Sequence, residues 1–352
     1  MECNMSKEKQ KQDISVNNIY VDLKKIIETA RDRVYRIANF EMLKAYWEIG
    51  KRIVEHEQKG EERAEYGSYL IKEVSTRLQK EFGQGFDETN LRRMRRFYLV
   101  YEKWDAVRPE LSWTHYRMLL HLDKETARDF YLVETIKNQW STRELDRQID
   151  SMLFERVALS KDRDGVKELA QKGQEILKPK DAIKDPYVLE FLGVQENKKI
   201  SEKRLEKALI EKMQWFLLEL GKGFCFVGRQ KRISTELSHY YIDLVFYNSI
   251  LKCYVLIDLK TKKLTHQDIG QMDMYVRMYE DKYRGSDDNP TIGIILCAQK
   301  DEAVVKYSVL NESKQIFASK YMTYLPSEEE LKREILREKH LIEAEKKYLP
   351  YS

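Results

Sequence analysis

Residues 240–260 read YYIDLVFYNSILKCYVLIDLK, and this stretch decides the fold of the C-terminal part of the chain. Two runs rich in β-branched and aromatic residues flank a short connection at residues 248–252, which predicts two adjacent strands. Asp243 lies inside the first run, and Asp258 lies near the end of the second. Because side chains two residues apart leave a strand from the same face, we expect Lys260 beside Asp258.

The two aspartates indicate a chemical function for these strands. A carboxylate in a buried strand is costly unless it is paired or bound to a cation. A short turn would bring Asp243 and Asp258 together, and like charges so close favour a metal ion between them. Mg²⁺ fits, since it takes a few carboxylate oxygens together with waters and a substrate phosphate. Lys260 would hold or deprotonate an attacking water, or stabilise the phosphorane, so the pattern predicts metal-dependent phosphodiester hydrolysis.

A purely structural role explains the same residues. Asp258 and Lys260 would then form an ion pair at the end of a strand, and Asp243 would accept hydrogen bonds from the backbone. A chain with 59 acidic and 63 basic residues also contains acid-x-base patterns by chance. The residue chemistry alone leaves both interpretations open.

The sequence on both sides of this stretch predicts an α/β arrangement. A helical segment, LEKALIEKMQWFLLELG, precedes the β-rich run GFCFVGRQKRI, and a further helix separates the two central strands from the apolar run TIGIILCAQ. We therefore predict a C-terminal α/β domain over residues 201–352.

The first half of the chain has helical periodicity throughout. Apolar residues recur every three or four positions over residues 21–57 and again over residues 67–82, and Asp87 is a suitable N-cap for a third helix. We predict an all-helical N-terminal domain over residues 1–160. The polar and proline-containing residues 161–200 are predicted to be a linker that docks partly, because they include the apolar run YVLEFL.

The third helix contains a cluster of arginines in the segment FDETNLRRMRRFY. Its preceding helix, the GQG turn and the basic helix together suggest a helix-turn-helix arrangement whose basic face contacts phosphates or guanine edges. A solvated surface on a helix that packs with its other side explains the pattern as well. The residues predicted to bind nucleic acid are Arg92, Arg93, Arg95 and Arg96.

Composition narrows the class of protein. The 352 residues carry a net charge of +4, 42% of them are hydrophobic and 11% aromatic, which argues against disorder. The polar first twenty residues and the short apolar runs predict a protein with no membrane segment, and the absence of a CxxC pair among the four cysteines fits a reducing cytoplasm. No HExxH, P-loop or GxSxG pattern suggests another chemistry.

The chain resembles a known family at several long motifs. The segments FLLELGKGFCFVGRQ, YYIDLVFYN, CYVLIDLK, GQMDMYV and DNPTIGIILC are similar to the C-terminal domain of the bacterial YhcG-like family, which belongs to the PD-(D/E)xK nuclease superfamily. The segments YWEIGKRIVE, FGQGFDETNLRRMRRFYLVY, LSWTHYRMLL, WSTRELDRQI and DPYVLEFLG resemble its helical N-terminal domain. The resemblance implies a restriction-endonuclease-like α/β core with a mixed sheet.

The resemblance also implies roles for individual residues. Asp243 and Asp258 would be metal ligands, Lys260 the catalytic lysine, and Glu206 the helical acidic residue that supports the site or binds a second ion. Gln271 would help to orient the substrate or the site. The family more often has Glu at the position of Asp258, and the shorter side chain would bring the metal closer to the strand. The basic or amide residues expected near the site entrance, where nucleic acid would arrive, are Gln230, Lys231 and Arg232.

The leading hypothesis is a bacterial nuclease that uses Mg²⁺, with Mn²⁺ as a substitute, to cut double-stranded or branched DNA recruited by the helical domain. One alternative is a DNA-binding or assembly protein with an inactive nuclease-like scaffold, and another is a nuclease that acts on RNA or branched DNA. A charged helix predicted over residues 327–348 would pack on the sheet or on a second subunit, so a homo-oligomer is expected as well.

Overall fold

The computed structural model describes residues 2–59, 64–158, 163–194, 200–234, 238–300, 302–308, 310, 313–327 and 329. Most of the charged helix predicted over residues 327–348 therefore lies outside the described residues. The chain forms two compact units, one of Met1–Arg128 with Thr135–Thr142 and the other of Asp129–Glu134 with Arg143–Ser352. No helix within the described residues has both the length and the hydropathy needed to span a bilayer.

The first unit is helical, as the sequence predicts. Its helices are α1 (Glu2–Lys59), α2 (Ala64–Phe82), α3 (Glu88–Val100), α4 (Trp113–Leu119) and the ends of α5 (Glu125–Asn138). Asp87 caps α3 as predicted, because its side chain accepts a 2.8 Å hydrogen bond from the backbone N–H of Asn90. Gly50 lets α1 approach α3 closely, since a Cβ atom there would lie 2.1 Å from the carbonyl oxygen of Met94.

The second unit contains a six-stranded mixed sheet. Its helices are α6 (Thr142–Asp150), α7 (Leu153–Ala158), α8 (Arg163–Lys172), α9 (Glu202–Glu211), α10 (Met213–Leu220), α11 (His266–Tyr283) and α12 (Glu302–Lys306). Its strands are β1 (Tyr187–Val188), β2 (Phe224–Ser234), β3 (His239–Asn248), β4 (Cys253–Lys263), β5 (Ile292–Gln299) and β6 (Ile316–Met322). The sheet order is β1-β6-β5-β4-β3-β2, with β2, β3 and β4 antiparallel and β4, β5, β6 and β1 parallel.

Helices cover both faces of this sheet. Buried side chains of β3, β4 and β5, such as Phe246 and Ile257, pack with Leu209 of α9 and Phe216 of α10 on one face. On the other face, the central strands pack against α11 through residues that include Met272. The buried, β-branched strands of a sheet covered on both sides account for the apolar runs of the sequence.

The predicted linker contributes structure to the second unit. Residues 163–194 contain α8 and β1, and β1 pairs in parallel with β6, so that Tyr187 lies opposite Tyr321. Arg147 and Arg156, which precede this segment, form buried ion pairs with Glu219 of α10. These contacts are the reason that the compact unit extends back to residue 143.

Candidate active site

Asp243 and Asp258 lie where β3 and β4 separate. The antiparallel ladder between the two strands ends with Leu244 opposite Ile257, and the aspartates are the next residues on each strand. Beyond this point β3 continues only along β2, whereas β4 continues along β5. The sequence therefore positions two carboxylates at a fork in the sheet, which we call the β3–β4 fork.

Asp258 is buried in an environment that disfavours its charged form. Its side chain is 4% exposed, and its Oδ2 atom lies 2.8 Å from Nζ of Lys260 in an ion pair. Apart from this ion pair, the buried Oδ2 has no hydrogen-bond partner among the described residues. Burial and the neighbouring Asp243 raise the pKa of Asp258 to about 7, although Lys260 opposes this shift. The carboxylate is thus short of positive partners.

Asp243 is held by the backbone and by an amide side chain. Its Oδ2 accepts a 2.8 Å hydrogen bond from the N–H of Leu259, and its Oδ1 accepts a 3.0 Å hydrogen bond from Nε2 of Gln230. The same Nε2 donates to Oε2 of Glu206 at 2.9 Å, so the amide joins Glu206 to Asp243. Gln230 adopts a left-handed backbone conformation with φ of 45°, which is uncommon for a residue other than glycine.

Lys260 connects the aspartates to α11. Its Nζ donates a 3.4 Å hydrogen bond to Oε1 of Gln271 and lies 3.7 Å from Oδ1 of Asp268. Gln271 in turn donates through Nε2 to the hydroxyl of Tyr275 at 2.6 Å, and that hydroxyl donates to the carbonyl oxygen of Tyr241 at 3.1 Å. Burial would lower the pKa of Lys260, but the attraction of Asp258 outweighs it and raises that pKa, so the lysine is a cation.

Two residues of this network were missed by the sequence analysis. Asp268 belongs to the capping box of α11 with Thr265, and Tyr275 follows Gln271 by one helical turn. The sequence signal for Tyr275 was available, because residues four apart on a helix lie side by side. Spacing alone could not show that its hydroxyl would fix the amide of Gln271.

The remaining predicted residues lie outside this cluster. Arg232 contacts the hydroxyl of Ser234 and the ring of His239, and Lys231 is exposed on β2. The arginines of α3 lie in the other unit and have polar partners: Arg92 pairs with Glu88, Arg93 with Asn90, Arg95 with Glu57 and Arg96 with Asp123. Three of these partners are acidic, so they offset much of the positive potential that the sequence pattern suggests.

The β3–β4 fork offers a small set of hard oxygen ligands. Two carboxylates, one with a buried oxygen that has no hydrogen-bond partner beyond its ion pair with Lys260 among the described residues, suit a divalent cation that takes its other ligands from water and phosphate. No group of three or more His, Cys, Asp or Glu side chains in the described part of the chain has metal-site geometry. Glu206 is separated from Asp243 by the Gln230 amide, so the residues fit a cation held by Asp243 and Asp258.

Two family models match most of the chain. Residues 180–336 match the family described as YhcG PDDEXK nuclease domain, and residues 22–156 match the family described as DUF1016 N-terminal domain. Over 350 residues the chain is 35% identical to a protein of Escherichia coli (strain K12) named "Putative nuclease YhcG". That match covers 90% of this chain and 93% of the relative.

Solved structures show a likeness over part of the chain. A repair endonuclease from Pyrococcus abyssi is 19% identical with a TM-score of 0.25, and the match covers 36% of this chain and 49% of that one. A structure described as an EndoMS-dsDNA2 complex is 17% identical with a TM-score of 0.27, covering 38% of this chain and 50% of the other. The matches therefore span about half of each of these solved chains.

Proposed function

Because this chain belongs to the YhcG family of PDDEXK nuclease-domain proteins, we propose that it hydrolyses DNA phosphodiester bonds at the β3–β4 fork in a Mg²⁺-dependent reaction. The observation that carries the proposal is that Asp243 and Asp258 directly follow the end of the β3–β4 ladder, with Lys260 2.8 Å from Asp258. Mn²⁺, which accepts similar oxygen ligands, is expected to replace Mg²⁺.

Asp243 and Asp258 would hold the cation in this reaction. A bound divalent ion supplies charge neutralisation and polarises the scissile phosphate. A cation would also favour the charged form of Asp258, whose pKa burial and the nearby Asp243 raise to about 7. Glu206 would support this arrangement through the amide of Gln230, or bind a second ion after that amide moves.

Lys260 would act on the phosphate as a hydrogen-bond donor. Its raised pKa keeps it protonated near neutral pH, so it stabilises negative charge that develops on the phosphoryl oxygens more readily than it removes a proton from water. Gln271 fixes the position of the ammonium group, and Tyr275 fixes Gln271. Gln271 and Tyr275 are positioning residues in this scheme, whereas Lys260 contacts the reacting group.

The helical domain is proposed to recruit the nucleic acid. Arg92 and Arg96 keep about half of their side chains exposed, at 51% and 47%, in spite of their acidic partners. With Arg93 and Arg95 they would contact phosphates of duplex or branched DNA, and Lys231 and Arg232 would contact the backbone near the fork. Affinity should then fall as salt rises.

The domain limits and the compartment belong to the same proposal. The helical domain would span residues 1–160 and the nuclease domain residues 201–352, joined by residues 161–200. A reducing cytoplasm suits the free cysteines Cys253 and Cys297, which are buried in the nuclease domain.

A binding or assembly protein is the second candidate. It is favoured by the hydrogen bond from Leu259 to Asp243 and by the Asp258–Lys260 ion pair, which give both carboxylates a structural role. In that case the protein would shift DNA in a salt-dependent manner, weakened by Arg92→Ala and Arg96→Ala, but would not cut it with any divalent ion.

The test of the nuclease function is a cleavage assay on supercoiled plasmid, linear duplex, branched DNA and RNA with Mg²⁺ or Mn²⁺. We expect Asp243→Asn and Lys260→Met to lower the cleavage rate by at least ~10²-fold, the typical effect of removing one group that stabilises the transition state. Matched controls are Asp281→Asn, an exposed carboxylate of α11, and Lys207→Met, whose side chain is 72% exposed on α9.

The controls should cut at the wild-type rate, and melting curves should show that all variants are folded. Equal cleavage by the wild type and both site variants would reveal a contaminating nuclease and would overturn the proposal. Cleavage of RNA but not of DNA would keep the site and change the substrate.

A further inference from the structure

A long segment of α1 is exposed within its unit. Every residue from 17 to 38 is exposed, so about six helical turns have solvent on all sides. Farther along the helix, side chains such as Leu43 and Ile53 are buried within the helical unit. Helices in proteins gain most of their stability from packing of an apolar face. We therefore expect a partner to cover an exposed helical segment of this length.

The exposed segment has a continuous apolar face. At 100° per residue, seven of its nine larger apolar side chains fall within an arc of ~120°, the width of a helix face that packs against another element, whereas Val21 and Tyr35 lie outside it. We call this face the α1 stripe, and its members are Ile19, Tyr20, Leu23, Ile26, Ile27, Ala30, Val34 and Ile37. Its large side chains are between 52% and 67% exposed, which is more contiguous apolar surface than a monomer usually presents.

The spacing of the α1 stripe identifies a helix as its occupant. Ile19 and Ile26 take the d positions of a heptad, Leu23, Ala30 and Ile37 take the a positions, and the aromatic or β-branched residues Tyr20, Ile27 and Val34 take the e positions. Side chains at these positions pack into the holes of a second helix rather than against a sheet or a loop.

The stripe is self-complementary when two copies run in opposite directions. With a two-fold axis near residue 28, Ile19 lies opposite Ile37 of the second copy and Ile26 lies opposite Ala30. Ile27 then meets its own equivalent, and Arg33, the polar residue of the seam, faces Leu23 instead of a second arginine. Each copy would then cover the α1 stripe of the other.

Charges beside the stripe favour this direction. Asp22 and Arg36 occupy g positions, and in the antiparallel arrangement Asp22 faces Arg36 of the second copy at two equivalent places. In a parallel arrangement the two copies of Arg33 would face each other in the seam.

We propose that two copies of this chain form a two-fold symmetric dimer through an antiparallel pairing of their α1 helices along the α1 stripe. The dimer does not depend on nuclease activity, so a failed cleavage assay would leave it intact. The occupant is a second copy because the apolar pattern and the flanking charges share one symmetry axis.

Sedimentation equilibrium of the full chain tests the dimer directly. We expect wild-type protein to be dimeric at micromolar concentration and Ile26→Asp to raise the dimer dissociation constant by at least ~100-fold, since a charge would enter an apolar seam. The matched control is Val21→Asp, because Val21 is 55% exposed but lies on the opposite side of α1. This variant should remain dimeric.

A charge exchange tests the direction of the helices. Asp22→Arg and Arg36→Asp should each raise the dissociation constant by ~10-fold, because two ion pairs become two repulsive contacts. The double variant should return to the wild-type value. These residues are ~21 Å apart within one helix, so only pairing between two copies can produce the rescue.

The opposite results would overturn the proposal. A wild-type monomer, including one whose stripe is protected from hydrogen exchange by residues 330–352 of its own chain, would exclude the second copy as the occupant. A dimer unaffected by Ile26→Asp would place the interface elsewhere. Dimerisation without rescue by the charge exchange would rule out the antiparallel arrangement.

Discussion

Two buried carboxylates in the second unit, Glu219 and Asp258, have opposite surroundings. Glu219 of α10 is fully buried and lies 2.6 Å from Nη1 of Arg156 and 3.2 Å from Nη1 of Arg147. Its Oε1 also accepts a 2.9 Å hydrogen bond from the N–H of Val188. Asp258, almost as deeply buried, has a single cation and a second carboxylate beside it.

The contrast appears in the pKa values of the two acids. Burial alone would raise the pKa of Glu219, but Arg156, Lys184 and Arg147 lower it to about 2. Burial raises the pKa of Asp258 to about 7, and Lys260 does not compensate. A carboxylate that holds the fold together is surrounded by positive charge. A buried carboxylate without enough positive charge is a candidate for cation binding, and chemistry is expected at such a residue.

The largest expected effect comes from removing the charge of Glu219. Glu219→Gln would leave Arg147 and Arg156 buried with too little negative charge, so we expect the free energy of unfolding of this unit to fall by about 3–5 kcal/mol. Denaturant unfolding followed by fluorescence would measure it. The control is Glu211→Gln, whose partner Lys207 is 72% exposed and whose loss should cost less than ~1 kcal/mol. Equal effects would contradict the structural role assigned to Glu219.

The pH dependence of the free energy of unfolding of Glu219→Gln tests whether the charge of Glu219 causes this effect. Since the folded pKa of Glu219 is about 2 and its ordinary value is 4.5, its stabilising effect is complete above pH 4.5 and is lost as the pH falls toward 2. At 1.36 kcal/mol per unit the loss is on the order of 3 kcal/mol. The stability difference between wild type and Glu219→Gln should therefore narrow over this range. A difference independent of pH would show that the variant acts through packing.

Divalent ions should bind at Asp258, the other buried carboxylate of this comparison. If Asp243 and Asp258 bind Mg²⁺, the ion stabilises the folded protein by ~2.7 kcal/mol at a hundred times its dissociation constant. We expect thermal melting to shift upward with Mg²⁺ in the wild type and in Asp281→Asn, and to stay unchanged in Asp258→Asn. Isothermal titration calorimetry would give the stoichiometry. An equal shift in Asp258→Asn would place the bound ion away from the β3–β4 fork.

The β3–β4 fork could be predicted because the residues that determine it lie close together in the sequence. Two apolar runs joined by a short turn specify adjacent antiparallel strands, so the sequence alone predicts that Asp243 and Asp258 lie near each other. The N-cap at Asp87 and the end of α2 at Phe82 were predictable for the same reason, since each depends on residues within one or two helical turns.

Features that depend on distant residues were not predictable in this way. Strand β1 has two residues and exists because it pairs with β6, more than a hundred residues later. The partners of Glu219 are likewise far apart in sequence, and no periodicity relates Arg147 to α10. The Gln230 amide between Glu206 and Asp243 needs the β2–β3 register, in which Arg229 lies opposite Leu244. Tertiary packing decides each of these features.

The smallest expected effect is a gain in stability at the fork. Without divalent ions, Asp258→Asn removes a buried charge that its surroundings oppose, and we expect the free energy of unfolding at pH 7 to rise by about 1 kcal/mol. The gain is smaller than the pKa alone suggests, because Lys260 loses its ion-pair partner. Denaturant unfolding in EDTA would measure it, with Asp281→Asn as the unchanged control. A loss of stability would mean that the Asp258–Lys260 pair serves the fold, as the Glu219 cluster does, and the contrast between the two carboxylates would disappear.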